Sequence, residues 1–107
     1  MHNNNTTPFI LTFGSCGWDR IVDAETRELI YEEEGRKNSH QAVAAKRAGA
    51  DSMLVSFVGD DEIGHKCLES LQQCGVDIRF VTVVSGESTE VNTQLLDRET
   101  KDYTLER

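Results

Sequence analysis

One stretch of this chain, residues 52–85, constrains the fold more than any other part of the sequence. The runs "SMLVSFVG" (52–59) and "FVTVVS" (80–85) are apolar and rich in β-favouring residues, which is typical of buried strands. Between them, "DDEIGHKCLESLQQCG" (60–75) repeats its apolar residues at helical spacing along one stripe. Strand, helix and strand in this order predict a parallel sheet with a crossover helix packed on it.

The helix of this unit carries signals at both of its ends. Asp60 or Asp61 is expected to cap the first turn, where a carboxylate accepts free backbone N–H groups, and Gly75 closes the helix. A metal site formed by the two aspartates is the alternative, although capping alone accounts for both. The apolar stripe consists of Ile63, Cys67, Leu68, Leu71 and Cys74.

Two further segments extend the pattern towards the N-terminus. "FILTFGS" (9–15) has the composition of a buried first strand. "NSHQAVAAKRAG" (38–49) predicts a short helix that ends at Gly49, with Asn38 or Ser39 as its N-cap. The chain is therefore expected to be an α/β protein whose helices pack on a parallel sheet.

Two polar hairpins interrupt the alternation of strands and helices. The first, "RIVDAETRELIYEEE" (20–34), has short β-favouring segments on either side of a turn at Asp23–Glu25. In the second, "EVNTQLLD" (90–97) and "YTLER" (103–107) are joined by the charged turn "RETKD". Both hairpins are too polar for the interior of a sheet, so we expect them to form a separate flap.

Length and composition argue against several functional classes. The 107 residues suffice for one domain, and the net charge of −8 argues against nucleic acid or an anionic membrane as a partner. No apolar run approaches the roughly 18 residues that a membrane span requires, and no secretory signal occurs. We therefore expect a cytoplasmic protein in which residues 1–8, "MHNNNTTP", form a flexible leader.

The three cysteines, Cys16, Cys67 and Cys74, include no CxxC pair. Cys67 and Cys74 would lie about 10 Å apart along the predicted helix, which is too far for a disulfide. We therefore expect reduced, buried thiols. A metal site is not expected, because no histidine lies at ligand spacing from these cysteines.

Three loops are expected at the carboxyl ends of the parallel strands, where open α/β sheets bind their ligands. They are "GSCGWD" (14–19), "GDDEIG" (59–64) and "SGEST" (85–89). The first lacks the glycine pattern of a dinucleotide site, and the chain has no phosphate-binding P-loop motif. Asp19 could accept hydrogen bonds from two neighbouring hydroxyl groups, or it could be a solvated loop residue.

Taken together, these stretches resemble the N-terminal part of a ribokinase-like (PfkB-type) carbohydrate kinase. The resemblance implies a partial three-layer ribokinase-like fold for residues 9–107, with β-hairpin lid segments at about 20–34 and 88–107. It also implies transfer of the ATP γ-phosphoryl group to a hydroxyl of a sugar or nucleoside, and a homodimer formed through the lid strands. It rests on "GSCGWD" (14–19), "GRKNSHQAVAAKRAGA" (35–50), "FVGDDEIGHKCLESLQQCGVD" (57–77) and "GEST" (86–89).

The resemblance also assigns substrate contacts. It places the family's sugar-contacting aspartate at Asp19, and the contacts of its glycine turn at Gly35 and Lys37. Spacing supports this alignment, because six residues separate Ala42 from Gly49 and nine more lead to Gly59, as in the family's first signature.

Four positions depart from the family pattern. Gly17 replaces an asparagine, and His40 replaces the asparagine that contacts sugar hydroxyls. Arg36 and Asn38 replace the second and third glycines of the turn, and a positive φ at Arg36 would be strained. Arg36 and His40 could read a different, anionic substrate, or they could mark a relaxed relative without catalytic activity.

The residues that carry catalysis in this family are expected to lie outside this sequence. The family's G-A-G-D turn, which supplies the base and an anion hole, occurs late in a chain roughly three times as long. We therefore expect no catalytic residue in this chain, no site of its own for the ATP and Mg²⁺ that the family uses, and no kinase activity from it alone. The alternative is a stand-alone module that dimerises or binds a small ligand without catalysis.

Overall fold

The computed structural model describes residues 6–106, which form seven strands and two helices. Residues 1–5 of the predicted leader lie outside this range, and the Pro8 carbonyl oxygen accepts a hydrogen bond from Asp51 N at 2.7 Å. In chain order the elements are β1 (Phe9–Phe13), β2 (Gly17–Asp23), β3 (Leu29–Gly35), α1 (Lys37–Arg47), β4 (Asp51–Gly59), α2 (Glu62–Gln73), β5 (Asp77–Val84), β6 (Val91–Asp97) and β7 (Asp102–Leu105).

Three strands form the predicted parallel sheet, in the order β1-β4-β5. Both helices cover one face of it, where Leu54 and Val58 of β4 pack with Ala42 of α1 and Leu71 of α2. All four side chains are at most 1% exposed. Burial of each leucine or valine stabilises the fold by about 1.5–3 kcal/mol. The predicted α/β fold with a parallel sheet is therefore confirmed.

The opposite face of the same sheet is open, and we call it the open face. Phe13, Val55 and Phe80 are register partners across its three strands and point to this side. Phe13 is 65% exposed, and Phe57, two residues beyond Val55, is 61% exposed. The sequence predicts buried strands because they are apolar on both sides, but residues 6–106 bury only the face under the helices.

The two helices differ in how they begin. Asp61 caps α2 as predicted, since its Oδ1 accepts a hydrogen bond from Gly64 N at 2.7 Å. The predicted cap of α1 is wrong, because Arg36 holds the N-cap position and no side chain accepts a hydrogen bond there. Asn38 instead accepts hydrogen bonds from Ser15, through its backbone N at 3.0 Å and its Oγ at 3.3 Å. Within residues 6–106, neither helix is long and apolar enough to cross a membrane.

The two predicted hairpins join into a single four-stranded sheet, which we call the lid sheet. Its order is β3-β2-β6-β7. Each hairpin pairs antiparallel, while β2 and β6 pair in parallel and hold the hairpins together. The first hairpin begins earlier than expected, at Gly17, because β2 follows β1 after only a short loop.

Trp18 anchors the lid sheet to the helical layer. It is buried in the same core as the helices, and its Nε1 donates to Glu32 Oε1 at 2.6 Å. Lys66 of α2 donates to the same oxygen at 3.0 Å, and its ammonium lies 5.0 Å from the centre of the indole ring. These contacts fix the base of the lid sheet relative to α2.

Candidate substrate site

The predicted substrate contacts converge at the base of the lid sheet. Asp19 lies on β2, opposite Glu33 of β3 and Asn92 of β6, so it is a strand residue and not a loop residue after β1. The other four follow one another closely from the end of β3 into the first turn of α1. The predicted residues are Asp19, Gly35, Arg36, Lys37 and His40.

A cavity of about 480 Å³ opens on the face of the lid sheet that carries Asp19, and we call it the lid cavity. Tyr31 Oη donates a hydrogen bond to Glu33 Oε1 at 3.1 Å within it. Carboxylates and amides dominate its polar lining, which suits a ligand with many hydroxyl groups. Its polar lining residues are Asp19, Arg20, Tyr31, Glu33, Arg36, Asn92 and Gln94.

A second cavity of about 500 Å³ lies beside the first, at the start of α1, and we call it the helix cavity. The two share a wall formed by Asp19, Arg36 and Asn92. Lys37 and His40 line only the helix cavity. Two side chains that can carry positive charge, Lys37 and His40, are therefore specific to this side of the wall, whereas Arg20 is specific to the other side.

Gly35 contributes space to the site. A Cβ at this position would overlap the carboxylate of Asp19. Asn92 Nδ2 approaches the same carboxylate from β6, at 3.5 Å from Oδ1. Glycine at the end of β3 is therefore required for Asp19 to keep its position.

His40 lies between two carboxylates. Its Nε2 is 3.6 Å from Asp19 Oδ2, and its Nδ1 is 3.7 Å from Glu34 Oε1. Glu34 is a buried residue whose second oxygen accepts a hydrogen bond from Ser70 Oγ of α2 at 3.1 Å. Both histidine distances exceed those of good hydrogen bonds, so neither contact is a hydrogen bond.

Arg36 occupies the turn between β3 and α1 in a left-handed conformation, with φ of 76°. This conformation favours glycine, so the arginine carries backbone strain as predicted. Its Nη1 donates to Glu90 Oε1 at 2.6 Å. The guanidinium therefore connects the start of α1 to the residue that precedes β6.

The family to which this site belongs is given by sequence comparison. The sequence pattern of the pfkB family of carbohydrate kinases matches residues 35–106, which is more than half of the chain. This chain belongs to the pfkB family of carbohydrate kinases. The resemblance stated from its motifs is thereby confirmed.

Individual relatives of this pfkB family chain are similar over most of its length. Ribokinase of Bacillus subtilis is 34% identical over 85 residues, which is 71% of this chain and 29% of the relative. An ATP-dependent ribose-1-phosphate kinase of Halopiger xanaduensis is 31% identical over 97 residues, which is 82% of this chain and 33% of the relative. The chain thus spans about a third or less of the length of these relatives.

A solved structure shows the same fold as this pfkB family chain. The PfkB protein of a Polaromonas species superposes with a TM-score of 0.80 at 19% identity. The match covers 94% of this chain and 35% of the solved chain. Residues 6–106 therefore adopt part of a ribokinase-like fold.

The family stretches "VGDDEIG" and "GEST" meet in space in this pfkB chain. Asp61 Oδ2 accepts a hydrogen bond from Thr89 N at 2.8 Å, and its Oδ1 accepts one from Thr89 Oγ1 at 2.7 Å. Gly59 N donates to Thr89 Oγ1 at 2.8 Å. Thr89 is therefore more than the ordinary turn residue that its sequence context suggests. This network ties the loop before β6 to the start of α2.

Two buried cysteines lie near the start of β2. Cys16 and Cys67 are buried, and Cys67 Sγ donates to the Gly17 carbonyl oxygen at 3.1 Å. A hydrogen bond with Cys16, together with burial, raises the pKa of Cys67, so this thiol stays protonated at neutral pH. All three cysteines are free as expected, but Cys74 is only half-buried, and that part of the prediction is wrong.

Several residues of the candidate site were not found from the sequence. Asn92 and Gln94 are two residues apart on β6, so their side chains lie on the same face of the strand. This spacing is a sequence signal that could have identified them. Glu34 and Glu90 had no such signal, because their roles depend on contacts with distant residues. Residues 6–106 contain no group of three His, Cys, Asp or Glu side chains placed to hold a metal ion.

Proposed function

We propose that this chain forms the acceptor-binding side of a pfkB family carbohydrate kinase and binds the hydroxyl groups of a sugar or nucleoside at Asp19. The observation that carries the proposal is the position of this carboxylate, in the wall shared by two cavities at the base of the lid sheet. An ionised carboxylate accepts two hydrogen bonds at fixed spacing, as neighbouring hydroxyls on a ring require.

The rest of the lid cavity supports a polyhydroxylated ligand. The amides of Asn92 and Gln94 can both donate and accept hydrogen bonds, and Glu33 adds a second carboxylate opposite Asp19. Tyr31 and Leu105 offer apolar surface against which a ring could pack. Family membership supports this role over that of a stand-alone module without catalysis.

Phosphoryl transfer requires groups beyond those proposed for this site. The reaction needs a base, a nucleotide with its metal ion, and donors that stabilise charge on the transferred group. We assign these groups to the part of a complete kinase that lies outside the region aligned with this chain. ATP and Mg²⁺ are accordingly ligands of the complete kinase domain, and Asp19 and its neighbours position the acceptor hydroxyl.

The open face supports this division of the domain. Parallel sheets occur almost always with both faces covered, and an exposed apolar patch of this kind marks a contact surface. Phe13, Phe57 and Phe80 present large aromatic side chains there. We assign this face to contact with the remaining α/β part of the kinase domain.

The same proposal includes association of two copies through the lid sheet. β7 is an edge strand, and all four of its residues are exposed. Unpaired backbone groups on an edge strand can pair with a second chain. We assign the homodimer to this edge.

Binding to the 107-residue chain tests the acceptor-binding role. NMR titration with a panel of sugars and nucleosides should give saturable shifts at Asp19 and Asn92 for at least one ligand. Asp19→Asn should weaken that binding at least about tenfold, because a charge-assisted hydrogen bond is lost. Asp102→Asn, in the same sheet but away from the cavities, should leave the affinity unchanged. Binding that is unaffected by Asp19→Asn would contradict the proposal.

A further inference from the structure

We infer that the ligand of this site carries an anionic group, either a phosphate or a carboxylate. This group occupies the helix cavity, while the hydroxyl groups of the ligand face Asp19 in the lid cavity. The inference rests on the proposed function, because it takes the ligand to be a sugar or nucleoside derivative. It is carried by the charge of the side chains that line the helix cavity and by the way Arg36 fits into the shared wall.

The described lining of the helix cavity can carry more positive than negative charge. Arg36, Lys37 and His40 line it, whereas Asp19 is its single carboxylate among residues 6–106. The chain as a whole has a net charge of −8, so this cavity differs in sign from the average surface. A local excess of cationic groups in a cavity favours an anionic ligand.

Lys37 is available to a ligand. It is exposed, and its ammonium group forms no ion pair with any residue between 6 and 106. By comparison, Lys46 of the same helix pairs with Asp51 at 3.8 Å, and Lys66 pairs with Glu32 at 3.0 Å. An ammonium group that is not already paired can contribute its full charge to a bound anion.

Arg36 is accommodated by a second departure from the family pattern. A Cβ at position 17 would lie 2.9 Å from Arg36 Cγ and 2.8 Å from the Glu90 carbonyl oxygen. Gly17, which replaces an asparagine of the family, therefore provides the space that the arginine side chain requires. Glu90 then holds the guanidinium by the 2.6 Å contact to Nη1. Three residues that fit together indicate a rebuilt site and not a decayed one.

The guanidinium keeps most of its hydrogen-bonding capacity. One of its five N–H donors is used, in the contact with Glu90, among the described residues. The remaining donors form a planar fork that matches two oxygens of a phosphate or carboxylate. Arg36 lines both cavities, so one ligand that spans the wall can reach it.

The nearby carboxylates offset only part of this charge, since Glu90 pairs with Arg36 at 2.6 Å and Lys37 stays unpaired among residues 6–106. Glu34 lies beneath His40, is buried, and accepts a hydrogen bond from Ser70. Asp19 faces both cavities and is approached by Asn92. Glu33 lines only the lid cavity. The lid cavity therefore has two carboxylates, Asp19 and Glu33, which Arg20 and Arg36 offset. The helix cavity has Arg36, Lys37 and His40 against Asp19 alone among residues 6–106.

The test compares the affinities of neutral and anionic probes for the 107-residue chain at low ionic strength. The probes are ribose, ribose 1-phosphate, gluconate and inorganic phosphate, measured by NMR titration or calorimetry. We expect ribose 1-phosphate or gluconate to bind at least about tenfold more tightly than ribose, because hydrogen bonds to charged groups are stronger than neutral ones. The better of the two identifies the anionic group as phosphate or carboxylate.

Two variants separate the anionic contact from the sugar contact. Arg36→Gly and Lys37→Gln should each lower the affinity for the anionic probe about tenfold more than they lower the affinity for ribose, because the interaction with the anionic group is lost in addition to any contact with hydroxyls. Glycine tolerates φ of 76° better than arginine, so Arg36→Gly should keep the fold, as circular dichroism will show. Lys46→Gln, which removes the same charge from the other end of α1, is the matched control and should have no effect.

The outcomes distinguish failure of the inference from failure of the proposed function. Equal affinity for ribose and both anionic probes overturns the inference and leaves the proposed function standing. Equal affinity for inorganic phosphate and ribose 1-phosphate also overturns it, because the lid cavity then contributes nothing. Absence of binding by every probe overturns both.

Discussion

Asp61 and Thr89, 28 positions apart in sequence, are joined by two hydrogen bonds from the threonine to the two oxygens of one carboxylate. The same carboxylate caps α2 through Gly64 N. One aspartate therefore begins a helix and also fixes the loop that leads into β6, the strand that carries Asn92 of the site. The family stretches that contain these residues hold the lid sheet in place relative to the helices.

Removal of the Thr89 hydroxyl should destabilise the fold. In Thr89→Val the buried Gly59 N–H loses its acceptor, and one oxygen of Asp61 loses a donor. A buried polar group without a partner costs about 1–3 kcal/mol, and we expect the free energy of unfolding in urea to fall by that amount. Thr82→Val, at an exposed position on β5, is the matched control. Equal stability of the two variants would show that the network is not structurally important.

The Asp61 network should also make the free energy of unfolding depend on pH. The backbone N–H of Thr89, followed by its hydroxyl and Gly64 N, holds the pKa of Asp61 below its ordinary value of 3.8. A lowered folded-state pKa gives stability that is fully present above the unfolded-state value and is lost as the pH falls through the folded-state value. The contribution of Asp61 should therefore persist from neutral pH to about 4 and disappear below it.

The variant Asp61→Asn tests this pH dependence. It should be less stable than the wild type at pH 7, and the difference in urea midpoint should shrink below the ordinary aspartate pKa of 3.8. Comparison of the two proteins isolates Asp61 from the other carboxylates with lowered pKa, such as Asp23 and Glu32. Asp60→Asn, at the exposed neighbouring position, is the control. A difference that stays constant down to strongly acidic pH would refute the assignment.

The open face should cause the 107-residue chain to self-associate. Phe57 is 61% exposed amid other aromatic side chains, and burial of this surface between two copies is favourable. Phe57→Gln should lower the degree of association in sedimentation velocity over a range of concentrations. Tyr103→Gln, at an exposed position on β7, tests the lid edge in the same experiment. A wild type that remains monomeric at every concentration would contradict self-association through either surface.

The chain should not phosphorylate sugars by itself. With ATP, Mg²⁺ and the sugar panel, the purified protein should release no ADP above background, since the base and nucleotide site are assigned to the remainder of the kinase. An intact pfkB family kinase assayed in parallel is the positive control. Clear turnover that is lost in Asp19→Asn would show that this chain contains a complete active site.

Local sequence patterns were sufficient for the elements and for the family. The apolar stripe from Ile63 to Cys74 and the Asp61 cap are determined within one helix, so α2 was predicted almost to the residue. The prediction for the start of β5 was less accurate. The strand begins at Asp77 and was predicted to begin at residue 80, because the polar residues at its start offer no strand signal. The prediction of the α1 N-cap was wrong because of a tertiary contact. Asn38 accepts hydrogen bonds from Ser15, which lies just after β1.

The sequence by itself determined the parallel α/β pattern, the two hairpins and the residues that identify the family, because each depends on neighbours along the chain. The tertiary structure alone decided that β2 and β6 pair in parallel, which brings Asn92 to Asp19 across 73 positions. It also decided that Gly17 makes room for Arg36. Strand register and the space around a side chain depend on segments far apart in sequence, and no local periodicity encodes them.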